Sequence, residues 1–308
     1  MAESWQQYQQ ELENSETTHQ RRLAIGQQLA YMGDPRPGIG VNDGIPDIVW
    51  LPVIPGGQVT IKRTWYPERP DEEARVIHTQ DFRVEPFYIA KYLVTQAQYR
   101  AFMEAADGFE NLAWWQDMPA DHRRRPLNTQ QTTYLNNPRN GLSWYQSVAF
   151  ARWMNYRLQG LVLSHPSDGR MLRVSDNAQV RLPTEWEWQW AAQNGMEARR
   201  YPWGDVPSGC ANTEESGLHQ AIAVGMYPHG AAACGALDMA GNLMEWCAND
   251  KAKLETVDVT SHATKVLRGG DWGYSLRNAS CTYCDDEEPS RMDVLNGCRL
   301  VLAEKQQL

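Results

Sequence analysis

Hydrophobic and polar positions alternate with two different periods along this 308-residue chain, and the period changes several times. Residues 3–32, "ESWQQYQQELENSETTHQRRLAIGQQLAYM", carry no strong breaker and read as one or two helices. "GDPRPGIGVNDGIPDI" then stops helix formation, so residues 1–47 form a helical extension and linker ahead of a main domain at 48–308. "IVWLPVIPGGQVTIKR" predicts a strand, a turn at Pro55-Gly56-Gly57 and a second strand. "FRVEPFYIAKYLVT" alternates as one strand, and Thr95 caps the short helix "QAQYRAFMEAA". Ser143 caps "WYQSVAFARWMNYRLQ", which sets Trp144, Val148, Ala151 and Met154 or Asn155 on one stripe. In "LPTEWEWQWAAQNG", Thr184 and Glu187 have capping-box spacing, and Gly195 is placed to end the helix. Beyond residue 200 the periodicity dissolves into Gly/Ala/Pro loops, recovering in "VLRGG" and "CRLVL".

Composition sharpens that picture. Hydrophobic residues make up 42% and charged residues 22%, as in a soluble globular protein, and no apolar run approaches a membrane span of about 18 residues. The polar, acidic N-terminus is not a signal peptide, which makes the cytoplasm the expected compartment and reduced thiols the expected state of the six cysteines. A net charge of -9 disfavours a nucleic-acid backbone as partner. Thirteen Trp, 17 Pro and 23 Gly point to long irregular loops pinned by aromatic anchors rather than to a helix bundle.

The ordered series "FYIAKYLVTQAQY", "LSWYQSVAFARWMN", "RLPTEWEWQWAA", "YPWGD", "LDMAGNLMEW", "LRGGDW" and "GCRLVL" resembles the formylglycine-generating enzyme (sulfatase-modifying factor) family over about residues 48–303. The resemblance implies an α+β, C-type-lectin-like fold of low regular secondary structure, with a small central antiparallel sheet, flanking helices and long loops. It also implies a copper-binding cysteine pair near Tyr274 and Ala279, and neither position carries a thiol here. Cys281 and Cys284 lie close by as C-x-x-C, a spacing able to hold metal or cycle as a disulfide. The seven histidines are isolated singles, unlike the H-x-x-x-H-x-E set of the related iron-dependent sulfoxide synthases. The family's calcium loop falls on "LDMAGNLMEW". Its ligands are then Asp238, the carbonyls of Gly241 and Leu243, and Glu245, a hard oxygen set suited to a structural calcium ion.

One branch of the fold fits the C-terminal third better. The variable proteins of diversity-generating retroelements resemble this chain in "LRGGDW", in the frame "NASCTYCDDEEPSR" and in "GCRLVL". Randomised adenines turn an Asn codon AAC into codons for Gly, Tyr, Ser, Asp, Val or Leu. Those residues and Asn occupy 273–275, 285, 286 and 293–296, whereas Met292, Glu287 and Glu288 need other template codons. The resemblance implies a non-catalytic protein whose variable region, about 271–297, binds a ligand through Gly273, Tyr274, Ser275, Asp285, Asp286, Met292, Asp293, Val294, Leu295 and Asn296. Six acids against two arginines from Asp271 to Gly297 favour a protein ligand with a basic patch. The alternative is a copper-dependent oxidase of the formylglycine-generating type that uses Cys281 and Cys284. In either case Cys298 alternates with Leu300 and Leu302 and fills a core position.

Overall fold

The computed structural model describes residues 5–65, 75–120, 134–205 and 209–305. Two helices come first, α1 (Trp5–Leu12) and α2 (His19–Met32), the second capped by Thr18, whose hydroxyl accepts the Arg21 amide. They do not stand apart from the main domain. Tyr8, Leu12, Ile25 and Leu29 pack against Leu218, Ile222, Met226 and Tyr227, and buried Arg22 donates to the carbonyls of Leu12 and Met226.

Six strands follow: a two-residue pair at Val41–Asn42 and Ile45–Pro46, then β1 (Trp50–Val53), β2 (Gly57–Trp65), β3 (Arg75–Val84) and β4 (Phe87–Ala90). The alternating stretch expected to be one strand is two. It breaks at Glu85-Pro86, where proline offers no amide to a ladder, so β3 pairs with β2 while β4 joins a different sheet. The helices α3 (Gln96–Glu104) and α4 (Trp144–Arg157) start at Thr95 and Ser143, each closed by a reciprocal capping box with Gln98 or Gln146. Strand β5 (Ala178–Arg181) leads into α5 (Glu185–Ala192), which is buried along its whole length. Its cap is the expected one. Glu187 N–H donates to Thr184 Oγ1, Thr184 N–H donates to Glu187 Oε2, and Arg181 pairs with the same glutamate at 2.7 Å. The helix ends at Ala192, ahead of Gly195.

Two short strands, Val162–Ser164 and Met171–Arg173, pair with each other ahead of β5, and the remaining strands are β6 (Met244–Asp250), β7 (Lys265–Arg268), β8 (Cys284–Glu287), β9 (Asn296–Gly297) and β10 (Val301–Glu304). Instead of one small central sheet there are two of four strands. The first, β1-β4-β10-β5, is antiparallel throughout; the second, β8-β7-β6-β9, is antiparallel except where β9 runs parallel to β6. The C-terminal segment separates two cores. Cys298, Leu300 and Leu302 face one cluster, with Trp144, Trp153 and Trp246, while Val301 faces the other, with Trp186, Trp188 and Trp190. Cys298 thus fills the core position expected of it, and burial pushes its thiol up to about 12.

The tryptophans act as staples. Trp115 donates to Phe109 O, Trp144 to Cys247 O, Trp190 to Pro55 O and Trp246 to Leu142 O, all within 2.8–2.9 Å. Each indole buries a large apolar area and fixes an irregular segment through a single N–H. That is how a chain so poor in regular structure holds long loops in place. No described helix is long and apolar enough to cross a membrane.

Candidate functional site

Three segments build the surface at the end of the second sheet. The first leaves β7 through Gly269-Gly270. Gly270 has φ +66°, and a Cβ there would meet Asn278 O at 2.7 Å, so the chain turns tightly and lays 271–280 back on itself. The loop is held from outside by Glu214 N–H to Tyr274 O at 2.9 Å and by Leu276 N–H to the Glu215 carboxylate. Gly273 and Tyr274 are exposed, the tyrosine at 46%, and Ser275 is half-buried.

The second segment is β8. As a strand it sends successive side chains to opposite faces, and this splits the two aspartates assigned together. Asp286 shares a face with Cys284 and pairs with Lys251 at 3.0 Å. Asp285 lies on the other face, near enough to Asp271, Tyr274 and Tyr283 to raise the pKa of each. Tyr283 is therefore part of this surface, although the sequence reading passed it over. Its phenol is pushed up to about 12 by burial and by Asp285.

The third segment runs from Pro289 to Asn296. It is held by main-chain atoms: Trp144 N–H to Pro289 O at 3.0 Å, Asn140 Nδ2–H to Val294 O at 3.0 Å, and Met244 N–H to Leu295 O at 2.9 Å. Met292, Asp293, Val294 and Leu295 are half-buried at its outer side. Asn296 is a correction to the expected surface. It is 3% exposed and paired in parallel with Met244, because the short strand β9 draws it under the arm. The surface ends at Leu295.

The cysteines take up different positions. Cys281 is fully buried in the apolar cluster with Val266 and Cys247, and burial raises its thiol to about 12. Cys284 lies with its Sγ 3.3 Å from Arg63 Nη1 and 3.5 Å from Lys251 Nζ. Both are free thiols, and the positions near the family's cysteine pair hold an exposed phenol at Tyr274 and a buried methyl at Ala279.

Of the four positions expected to bind calcium, the two carboxylates are already engaged by protein. Glu245 is wholly buried, and both its oxygens are taken: Arg299 Nη2 donates to Oε1 at 2.8 Å, Arg299 Nε lies 3.0 and 3.2 Å from the two oxygens, and Trp188 Nε1 donates to Oε2 at 2.8 Å. Asp238 Oδ2 accepts the Gly225 amide at 2.6 Å, and burial raises its carboxyl to about 6. The loop that carries Gly241 and Leu243 is tied down by its neighbours. Asn242 accepts from Ile222 N–H and Asn212 Nδ2–H, and Gly241 N–H donates to Gly269 O. A hard dication needs anionic oxygens free to coordinate it; here the charge facing Glu245 is a guanidinium. Among the described residues no group of three or more His, Cys, Asp or Glu is arranged to hold a metal. Adding millimolar calcium, or removing it with a chelator, is expected to leave the melting temperature within about 1 °C. A rise of several degrees with calcium, the signature of ligand linkage, would restore the metal.

Comparison with known proteins accords with this architecture. The model of the sulfatase-modifying factor enzyme 1-like domain matches residues 45–304. The chain is 29% identical over 271 residues to a formylglycine-generating enzyme of Streptomyces coelicolor, covering 71% of this chain and 77% of that protein. It is 26% identical over 265 residues to a hercynine oxygenase of Mycolicibacterium thermoresistibile, covering 74% of this chain but about half (53%) of that protein. Among solved structures, Treponema denticola variable protein 1 superposes with a TM-score of 0.54 at 17% identity, covering 83% of this chain and 95% of that one. At that identity the likeness speaks to the fold alone.

Proposed function

Starting from a chain that belongs to the sulfatase-modifying factor enzyme 1-like family, we propose that it is a non-catalytic ligand-binding protein, the variable protein of a diversity-generating retroelement. The observation that carries this reading is the partial sorting of the C-terminal segment by burial. Frame residues Leu267, Arg268, Asp271, Ala279, Cys281, Cys298 and Arg299 are buried, although Arg277, Thr282, Glu288 and Arg291 are exposed, while Gly273 and Tyr274 are exposed and Asp285 and Met292 to Leu295 half-buried. A rigid scaffold carrying changeable side chains on its loops is how a binding surface is altered without unfolding the domain. Tyrosine supplies contact area at low entropic cost, and Ser, Asp and Gly supply adaptable polar contacts.

The oxidase reading draws on the enzymes among the relatives and on the two cations beside Cys284. It needs a thiolate pair, and Cys281 is a buried thiol whose pKa is pushed up to about 12. Its own test is copper-dependent oxidation of a thiol peptide that disappears in Cys281→Ser with Cys284→Ser.

The test of the main reading is deep sequencing of the 3′ end of the gene and its flanking DNA across a cell population. Expected is variation confined to codons for 273–275, 285–286 and 292–295, with an adenine-rich near-copy and a reverse transcriptase nearby. An invariant gene without a template copy overturns it.

A further inference from the structure

A cleft of about 810 Å³ opens where the N-terminal arm meets the main domain, and no residue of the C-terminal surface lines it. The arm contributes Ala30 from the last turn of α2, Gly33 just past it, and Ile39 and Gly40 from the linker. Ala97 and Ala101, four apart and so on one face of α3, form the wall on the domain side. These walls are small apolar side chains and bare backbone. A Cβ on Gly33 or on Gly40 would meet nothing within 4 Å, so the space beside them is open. Leu135, also on the wall, is 45% exposed, and Tyr31 and Met32, between Ala30 and Gly33, are exposed as well. The apolar lining thus continues out to solvent, as it does at surfaces that take up a ligand.

The charged residues of the cleft answer one another. Arg100 pairs with Glu104 at 2.7 Å, Arg157 with Asp107 at 3.3 Å, and Asp34 with Arg36 at 2.6 Å. Each of the five ionisable residues on the wall therefore has a counter-ion already. An ionic ligand would give up its water here without gaining a free opposite charge. Asn136 lines the cleft where arm and domain join. Its Nδ2 donates to Gly26 O at 2.9 Å and to Asp34 Oδ2 at 2.8 Å, and its buried Oδ1 has no protein partner. Close-packed interiors seldom leave both an open space of this size and an unpaired acceptor on its wall. The volume falls within the range of about 300–1,000 Å³ common to small-molecule sites, whose walls are mainly apolar with a few polar groups.

We infer that this cleft is a binding site for an uncharged, mainly apolar small molecule, whose occupancy joins the N-terminal arm to the main domain. Burial of apolar area supplies the affinity, and the internally paired charges select against ions. The site uses no residue from 271–297, so it is independent of the ligand-display reading.

The test is a fluorescence titration of the full chain with N-phenyl-1-naphthylamine, an uncharged probe that brightens in apolar surroundings. Beside it, 1-anilinonaphthalene-8-sulfonate presents the same ring system with a negative charge. Expected is saturable binding of the neutral probe, a melting temperature that rises with its concentration, and binding of the sulfonate at least about tenfold weaker. Ala97→Leu and Ala101→Leu add volume to the α3 wall with a good helix former, and each should weaken the neutral probe at least about tenfold. Absence of saturable binding, a sulfonate bound as tightly as the neutral probe, or undiminished affinity in both folded leucine variants overturns the inference. So does a chain that sediments as a dimer and becomes a monomer in Ala101→Arg, because a second copy is then the occupant of the cleft.

Discussion

Replacing Arg299 with methionine is expected to lower the unfolding free energy by about 3–5 kcal/mol, the cost of leaving a buried charge without its partner. Arg299 uses all five of its N–H donors. Nη1 reaches the carbonyls of Ala90 and Lys91, Nη2 reaches Leu237 O and Glu245, and Nε lies on the Glu245 carboxylate. Ala90 belongs to β4 in one sheet and Glu245 to β6 in the other, so a single guanidinium joins them. Arg299→Lys should recover little, since an ammonium cannot present donors in a planar fork. Urea denaturation monitored by tryptophan fluorescence reads the effect directly. A loss below about 1 kcal/mol would mean that Glu245 finds another partner.

Asp271→Asn should act in the opposite direction. Burial raises this carboxyl from its ordinary 3.8 to about 6, and Asp293 and Asp285 add to the rise. The folded state therefore holds a proton that the unfolded state has released. The stability this lends is complete below about pH 4 and is lost as pH climbs through about 6. At 1.36 kcal/mol per pH unit the charge costs up to roughly 3 kcal/mol at neutral pH. An asparagine amide without a partner of its own takes back about 1 kcal/mol. The variant is thus expected to be about 2 kcal/mol more stable at pH 7.5 and nearly level with the parent at pH 4. Asp238 titrates over the same window, but it is present in both proteins, so the difference between their pH profiles isolates Asp271. Equal stability at pH 7.5 would show that the ionised carboxylate is tolerated where it lies.

The sequence disclosed most where the signals are local. The caps at Thr95, Ser143 and Thr184 depend on residues three apart, and all three form as read. The ordered motifs also gave the family and its fold. What escaped depends on distant partners or on strand register. Glu245 and Arg299 stand 54 positions apart, so nothing near Glu245 warned that both its oxygens are engaged by protein. Four consecutive acids concealed that Cys284–Glu287 is a strand, and with it the separation of Asp285 from Asp286. Asn296 continues the run of residues expected to vary, which assigns it to the surface; its pairing with Met244 depends on a parallel contact between segments about 50 residues apart.

The arm from Pro289 to Leu295 hangs from three hydrogen bonds whose acceptors are its own carbonyl oxygens and whose donors belong to Asn140, Trp144 and Met244. Every residue type has a carbonyl, so replacing the side chains of this arm leaves its suspension points in place. Shape here is held through the main chain, so on the ligand-display reading the side chains are free to change. One backbone trace can therefore serve a whole repertoire of sequences, and a new specificity does not require a new fold.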